Sequence, residues 1–149
     1  MPETKSDRIA PVRKSITVPW TPEAAFRRFT AGIAEWWPLA THGVSESAEA
    51  GVAIEGRVGG RIVETGPDGA EHVWGTVTAW EPPRRVAFTW HPGRPADMRQ
   101  DVSVAFHAAD GGTRVELVHT GWEHLGEKAA KMRAGYNSGW DFVLGRYAG

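Results

Sequence analysis

Five side chains in this sequence are of types that could move protons in a site: His119, Glu64, Arg61, Glu116 and Tyr136. General acid–base catalysis needs such groups to converge in one concave site. His119 alternates in phase with apolar residues of the last predicted strand, and Tyr136 lies on the apolar side of a predicted helix, so both are expected inside. Glu116 alternates outward, and Arg61 and Glu64 have opposite parity, so at most one of them faces inward. A hydrogen-bonded structural His119, or one that anchors a ligand, is favoured over a catalytic one.

Neither a metal nor another cofactor is predicted. The candidate ligands His119, Glu123 and His124 lack the i, i+4 spacing of a helical zinc pair, and no His-Glu-x-x-His sequence occurs. The absence of cysteine excludes thiolate ligands and thiolate catalysis. No phosphate-binding loop is expected at Gly59-Gly60, because no lysine and helix start follow, so these glycines are expected to bend a strand.

Tryptophan is the unusual part of the composition, with eight residues against two tyrosines and five phenylalanines. An indole ring buries a large area and carries one N–H donor. Two interpretations stay open: a well-filled aromatic core, or an aromatic wall around an apolar or flat ligand. In the second, His119 is a polar anchor, and the expected ligand contacts are Trp37, Trp74, Trp90, Trp122, Tyr136 and Trp140.

These side chains need a helix and a sheet to position them. A stripe of large apolar residues at steps of four, four, three and four predicts one long helix over residues 123–148, with one face formed by Met132, Tyr136, Trp140, Val143 and Tyr147. Gly135 and Gly139 lie inside this helix, where glycine is unfavourable. We expect them to let either the sheet or a ligand approach closely.

Short strands make up most of the remaining chain. Val12–Val18 is the first strand, and Thr21-Pro22-Glu23 is typical of a helix start. A second short helix or turn is expected up to Pro38, and loops are expected at 39–51 and 91–99. Six further strands are predicted at 52–55, 58–65, 71–80, 84–90, 101–107 and 113–120. Hairpin-length connections favour an α+β fold in which a curved, seven-stranded antiparallel sheet surrounds the long C-terminal helix.

The chain of 149 residues is predicted to form one domain, with Met1–Ala10 as a flexible N-terminus. Acids and bases are interspersed and the formal net charge is −1, which argues against a nucleic-acid partner. No run approaches the roughly 18 apolar residues of a membrane span, and the N-terminus lacks the apolar core of a signal peptide. We expect no membrane partner and a cytoplasmic location.

Several local sequences, spread over residues 9–148, resemble those of one superfamily. They include Val18-Pro19-x-x-Pro22, Trp36-Trp37, EGRVGGRI over 55–62, Trp74-Gly75, Trp80-x-Pro82-Pro83, Phe88-Thr89-Trp90, His119-x-Gly121-Trp122 and Gly139-Trp140. On these sequences the chain resembles the helix-grip superfamily of START domains, pollen-allergen-like ligand carriers and polyketide cyclases, often labelled SRPBCC. Within it, the chain is similar to the group named after the C-terminal domain of the activator of heat-shock protein 90 ATPase.

The resemblance implies a START-like helix-grip fold with a cavity between the sheet and the C-terminal helix, and a hydrophobic or aromatic small molecule as partner. A ligand-binding protein is the favoured function, with the loops at 39–51 and 91–99 giving access to the cavity. An enzyme of the cyclase, dehydratase or hydrolase kind is the alternative, although this group shares no single catalytic motif. A stress-related or co-chaperone-like interaction module is a second alternative. The chain is expected to be a monomer or a homodimer.

Overall fold

Seven antiparallel strands form one curled sheet in a computed structural model that describes residues 10–149. The predicted flexible N-terminus, except Ala10, lies outside the described residues. The strand order is β1-β7-β6-β5-β4-β3-β2, which confirms the predicted α+β fold. The strands are β1 Val12–Val18, β2 Gly51–Ile54, β3 Arg61–Thr65, β4 Glu71–Glu81, β5 Arg85–Trp90, β6 Gln100–Ala109 and β7 Gly112–Thr120.

Short helices follow β1, as predicted. Helix α1 spans Pro22–Phe29, and Thr21 Oγ1 caps it by accepting a hydrogen bond from Ala24 N at 3.2 Å. A 3₁₀ turn, Ile33–Glu35, leads to the two adjacent tryptophans. The prediction of a loop from residue 39 is wrong at its start, since α2 (Leu39–His42) forms there. Trp37 Nε1 donates to His42 O at 2.9 Å and so satisfies a carbonyl at the end of this short helix.

The C-terminal helix, α3, is shorter than predicted. It spans Ala129–Ala148, whereas Trp122–Lys128 forms 3₁₀ turns in place of the α-helix expected from residue 123. Gly126 is the cause, because its φ of 59° and ψ of −125° are not helical. The chain therefore changes direction at Gly126 before α3 begins.

Strand β3 begins at Arg61 rather than at the predicted residue 58, because Gly59 and Gly60 form a bend. Gly59 N donates to Val77 O at 2.9 Å, and Val77 N donates to Gly60 O at 2.7 Å, which ties the bend to β4. A Cβ atom on Gly60 would lie 2.4 Å from Glu55 O, so only glycine fits there. The bend expected at these glycines is present.

The predicted apolar stripe of α3 faces the core, but its two halves are buried to different extents. Trp140, Val143 and Tyr147 are at most 2% exposed. Tyr147 Oη donates to Ala25 O at 2.7 Å, which joins the last turn of α3 to α1. Met132 and Tyr136, nearer the start of α3, are only half-buried. The open space in the fold therefore lies beside the first half of α3.

Candidate functional site

A cavity of about 580 Å³ lies between α3 and the loops that follow α2 and β5. Both segments expected to give access contribute to it: Gly43 and Val44 come from the loop at 39–51, and Pro92 and Gly93 from the loop at 91–99. The volume falls within the range of small-molecule sites. Part of the aromatic core is therefore filled by side chains, and another part borders an open cavity.

Three indole rings form the inner wall of the cavity. Trp37, Trp90 and Trp140 line it, and each is at most 7% exposed. Their ring centroids lie 5.8 Å apart for Trp37 and Trp90, 5.9 Å for Trp37 and Trp140, and 5.6 Å for Trp90 and Trp140. The three rings pack against one another, so they give the cavity a preformed apolar surface. Tyr136 extends the same wall.

The helix side of the cavity is open because two of its residues lack side chains. A Cβ atom on Gly135 would have no heavy atom within 4 Å, and one on Gly139 would meet only His42 Nε2, at 4.0 Å. Both glycines line the cavity. Of the two roles left open by the sequence, close approach of the sheet is wrong at these positions. The glycines leave open space on this side of the cavity.

Trp74 and Glu64 lie behind the indole wall. Trp74 is fully buried against Trp37 and Trp90, with ring centroids 5.1 and 5.5 Å away, and is not among the cavity-lining residues. Its Nε1 donates to Glu64 Oε1 at 3.0 Å. Trp74 therefore supports the wall from behind and does not itself line the cavity.

Glu64 also holds the mouth of the cavity in place. Its carboxylate accepts hydrogen bonds from Val44 N at 2.7 Å, Ser45 N at 2.9 Å and the Ser45 hydroxyl. Burial alone would raise the pKa of this carboxyl, but the hydrogen bonds from Ser45, Val44 and Trp74 hold the pKa below its usual value. Glu64 was one of the candidates named from the sequence, with at most one of Arg61 and Glu64 expected to face inward. Glu64 is the inward one, buried in parity with Ile62, whereas the side chain of Arg61 is exposed.

His119 points inward, as predicted, but both of its ring nitrogens are already engaged. Trp140 Nε1 donates to Nδ1 at 2.9 Å, so Nε2 carries the proton and donates to Gln100 Oε1 at 3.2 Å. Burial, and after it the charge of Arg94, lowers the pKa of His119 to about 3. The histidine is therefore neutral near neutral pH, and its Nδ1 orients Trp140.

Trp122 belongs to this supporting layer as well. Its ring stacks on His119 with centroids 4.2 Å apart, and its Nε1 donates to His119 O at 3.0 Å. Trp122 and His119 are fully buried and neither lines the cavity. Of the expected ligand contacts, the cavity-lining residues are Trp37, Trp90, Tyr136 and Trp140.

We expect acid to destabilise the fold through His119. The pKa of this group is about 3 in the folded protein against 6.5 in the unfolded chain. Between about pH 3 and 6.5 the unfolded chain therefore binds up to one more proton than the folded protein. Over that range the free energy of unfolding decreases by up to about 1.4 kcal/mol for each pH unit that the pH falls. The stability associated with neutral His119 is fully present above pH 6.5 and is lost as the pH falls toward 3. Urea unfolding of the wild type and His119→Gln over this range measures it.

The matched control is His107→Gln, since His107 is an exposed histidine on β6. His107→Gln should keep the acid dependence of the wild type, whereas His119→Gln should flatten it. Equal slopes for wild type and His119→Gln would show that His119 is not held neutral by the fold.

Arg94, from the loop at 91–99, lies beside Tyr136 and was not predicted as a site residue. Its guanidinium donates to three neutral oxygens: Tyr136 Oη at 3.3 Å, Trp90 O at 3.3 Å and Gln100 Oε1 at 3.0 Å. Within residues 10–149 no carboxylate oxygen lies within 4.0 Å of it. No periodic signal marks a loop residue, so sequence pattern offered no means of finding Arg94.

His42 is a second cavity residue that sequence reasoning missed. Its Nδ1 lies 2.7 Å from Thr41 Oγ1, and its ring stacks on Phe142 of α3 with centroids 5.0 Å apart. Burial lowers the pKa of His42 from its ordinary value. A neutral imidazole whose orientation is set by a hydrogen bond and a stacking contact can accept a proton. His42 is the cavity-lining histidine.

Neither a metal cluster nor a membrane-spanning helix occurs in the described part of the chain. No group of three or more His, Cys, Asp or Glu side chains among residues 10–149 is arranged to hold a metal ion. Over the same residues, no helix is long and apolar enough to cross a membrane.

A model of one protein family matches most of the chain. The family is described as activator of Hsp90 ATPase homolog 1-like protein, and the match covers residues 19–144. The chain belongs to this family. A search of curated proteins gave no match. The resemblance inferred from the local sequences is thus confirmed for the family and for its helix-grip fold.

Solved structures similar to this member of the activator of Hsp90 ATPase homolog 1-like family include two with low identity. A protein from Mesorhizobium loti is 18% identical with a TM-score of 0.70, and 93% of each chain is covered. The Aha1 dimer from Colwellia psychrerythraea is 20% identical with a TM-score of 0.68, and 94% of each chain is covered. These two likenesses concern the fold.

A third solved structure is more similar in sequence. Txn09, an anthrahydroquino-gamma-pyrone synthase, is 34% identical to this chain with a TM-score of 0.64. The comparison covers 99% of this chain and 98% of Txn09.

Proposed function

We propose that this protein binds a flat, hydrophobic or aromatic small molecule in the cavity between the sheet and α3. The observation that carries the proposal is the cavity of about 580 Å³ bounded by Trp37, Trp90 and Trp140. Tyr136 supplies a fourth contact, and Gly135 and Gly139 leave the space that the ligand occupies. Stacking on preformed aromatic faces favours a planar ligand.

A second layer of residues serves the same function indirectly. His119 orients Trp140 through the hydrogen bond to Nδ1, Trp122 stacks on His119, and Trp74 packs against Trp37 and Trp90. Because these residues hold the wall side chains in place, little side-chain entropy has to be lost when a ligand binds. In this proposal the three residues set the position of the wall and do not touch the ligand.

An enzyme of the cyclase, dehydratase or hydrolase kind is the second candidate function. The observation that favours it is His42, a neutral imidazole that lines the cavity and whose Nδ1 is engaged by Thr41. The 34% identity to a synthase whose name describes an aromatic product supports the same candidate. His42 would be the base, since both nitrogens of His119 are engaged within the core. The co-chaperone-like module, the cytoplasmic location and the monomer or homodimer stay predictions.

Native mass spectrometry of the wild type and His42→Gln tests both candidates together. We expect a small molecule to remain bound to the wild type and to be released on denaturation. If the protein only binds, both proteins should carry the same molecule. If His42 transfers a proton during a reaction, the variant should retain the unconverted substrate, which has a different mass or chromatographic identity.

Two results would count against these functions. An apo mass for both proteins, together with no binding of flat aromatic probes to the wild type, would contradict a ligand-binding cavity. Identical bound molecules in the wild type and His42→Gln would contradict the enzymatic candidate while supporting the binding protein.

A further inference from the structure

We propose that the ligand is an aromatic acid, with a carboxylate or ionised phenol oxygen bound at Tyr136 and Trp90 on the cavity wall, in front of Arg94. This inference rests on the proposed function and specifies the chemical class of the ligand. It follows from two donors on the inner wall of the cavity, Trp90 Nε1 and Tyr136 Oη, and from Arg94 behind that wall, whose charge has no counterion in the described part of the chain.

Arg94 differs from the arginines that form ion pairs on the surface. Its side chain is half-buried and its hydrogen bonds go to a phenol, a backbone carbonyl and an amide, all of them neutral. The ion-paired arginines, by contrast, have exposed side chains: Arg57, Arg61, Arg84, Arg85 and Arg114. A partly desolvated guanidinium is costly without a negative partner, so a ligand anion would relieve this cost.

The acceptors near Arg94 are already used within the protein. Gln100 is fully buried, and its Oε1 accepts from both Arg94 and His119, while its Nε2 donates to Met98 O at 3.1 Å. This network fixes the orientation of the amide and leaves its oxygen unavailable to a ligand. Arg94 Nε is buried and has no hydrogen-bond partner within residues 10–149. The charge is therefore held in place but remains uncompensated.

Two donors are left unsatisfied on the wall itself. Trp90 Nε1 is buried without a partner in the described residues, although Trp90 lines the cavity. Tyr136 Oη accepts from Arg94, and no described residue accepts its hydroxyl proton, so the O–H can donate into the cavity. Donation from Arg94 polarises that O–H and strengthens the bond it makes to an oxygen anion.

The one carboxylate among the described cavity-lining residues, Glu46, lies at the solvent-exposed mouth. Because Glu46 is exposed, water and salt screen its charge. Glu64 points away from the cavity into its own set of donors. The cavity wall thus has apolar aromatic faces and two donors, with the half-buried Arg94 behind them. Together these groups suit a planar ring that carries one acidic oxygen.

Two probes with the same ring skeleton test the proposal. Anilinonaphthalene sulfonate is an anion, and N-phenylnaphthylamine lacks the sulfonate and is neutral. Fluorescence titration should show that Arg94→Met weakens the anionic probe by about 10- to 100-fold, the worth of a charge-assisted hydrogen bond. The neutral probe should change less than about twofold. Arg94→Lys should recover part of the loss, because the charge is kept while the planar fork is not.

The matched control is Arg99→Met, on the same loop, since Arg99 is exposed and donates to Ala96 O. It should leave both affinities unchanged.

The pKa of bound nitronaphthol gives an independent readout. An apolar cavity alone would raise the pKa of the bound phenol, whereas the charge of Arg94 should make that pKa lower in the wild type than in Arg94→Met. Equal effects of Arg94→Met on both probes, or a pKa of bound nitronaphthol that is no lower in the wild type than in Arg94→Met, would overturn the inference. Failure of both probes to bind would contradict the proposed function itself.

Discussion

Glu64→Ala is expected to lower the free energy of unfolding by about 3–5 kcal/mol, because several neutral donors lose their shared acceptor at a cost of roughly 1–3 kcal/mol each. The substitution leaves Val44 N, Ser45 N and Trp74 Nε1 without their acceptor. Unpaired buried donors keep their full desolvation cost. Urea denaturation followed by tryptophan fluorescence measures the loss. Glu64→Gln should cost less, because its amide oxygen still accepts hydrogen bonds. It should still be destabilising, because the amide NH₂ then faces other donors.

Glu116→Ala is the matched control for this prediction. Glu116 is also a strand carboxylate, but its side chain is 41% exposed and pairs with His107 and Arg114 at the surface. Exposed pairs of this kind contribute at most about 1 kcal/mol. If Glu64→Ala were no more destabilising than Glu116→Ala, the hydrogen bonds to Glu64 would not hold the loop. Amide hydrogen exchange at Val44 and Ser45 gives a local readout, which should become faster in Glu64→Ala alone.

Gly135→Phe is expected to fill the cavity and to lower the affinity for aromatic probes by about 100-fold. The space is available, since no heavy atom lies within 4 Å of the Cβ position of Gly135. Replacing a glycine inside a helix also improves helix propensity by a few tenths of a kcal/mol. The variant should therefore fold at least as well as the wild type, so that lost binding reports occlusion rather than unfolding. Titration with N-phenylnaphthylamine measures the affinity.

Gly145→Phe provides the control on the same helix. A Cβ atom on Gly145 also has no heavy atom within 4 Å, but Gly145 is exposed and does not line the cavity. This variant should bind the probe as the wild type does. Unchanged probe affinity in Gly135→Phe, with a folded protein confirmed by circular dichroism, would place the probe outside this cavity.

The elements that frame the cavity were predictable because their signals are local in sequence. Val115, Leu117 and His119 alternate inward along β7, and the three- and four-residue steps from Met132 to Tyr147 give the buried face of α3. Errors occurred where backbone geometry interrupted a pattern. Gly126 ends the helical conformation before α3, and Gly59-Gly60 delays β3.

The candidate site was predictable only in part, because parity indicates which side chains point inward but not what lies in front of them. Of the side chains expected to touch a ligand, Trp37, Trp90, Tyr136 and Trp140 line the cavity. Trp74, Trp122 and His119 also point inward, yet other rings stand between them and the open space. In sequence the two groups look alike.

The sequence by itself determined the order of the elements along the chain, the hairpins between the middle strands, the helix stripe and the family, since each depends on residue types at short spacing. The pairing of β1 with β7 was not among these predictions. The tertiary structure alone brought Arg94 to Tyr136, Val44 and Ser45 to Glu64, and His42 to Phe142. These contacts join loops without periodicity to distant elements. The cavity has the same origin: it is the space that remains when α3, with glycine at 135 and 139, packs beside those loops. Such a space depends on the positions of several elements at once, which residue spacing does not encode.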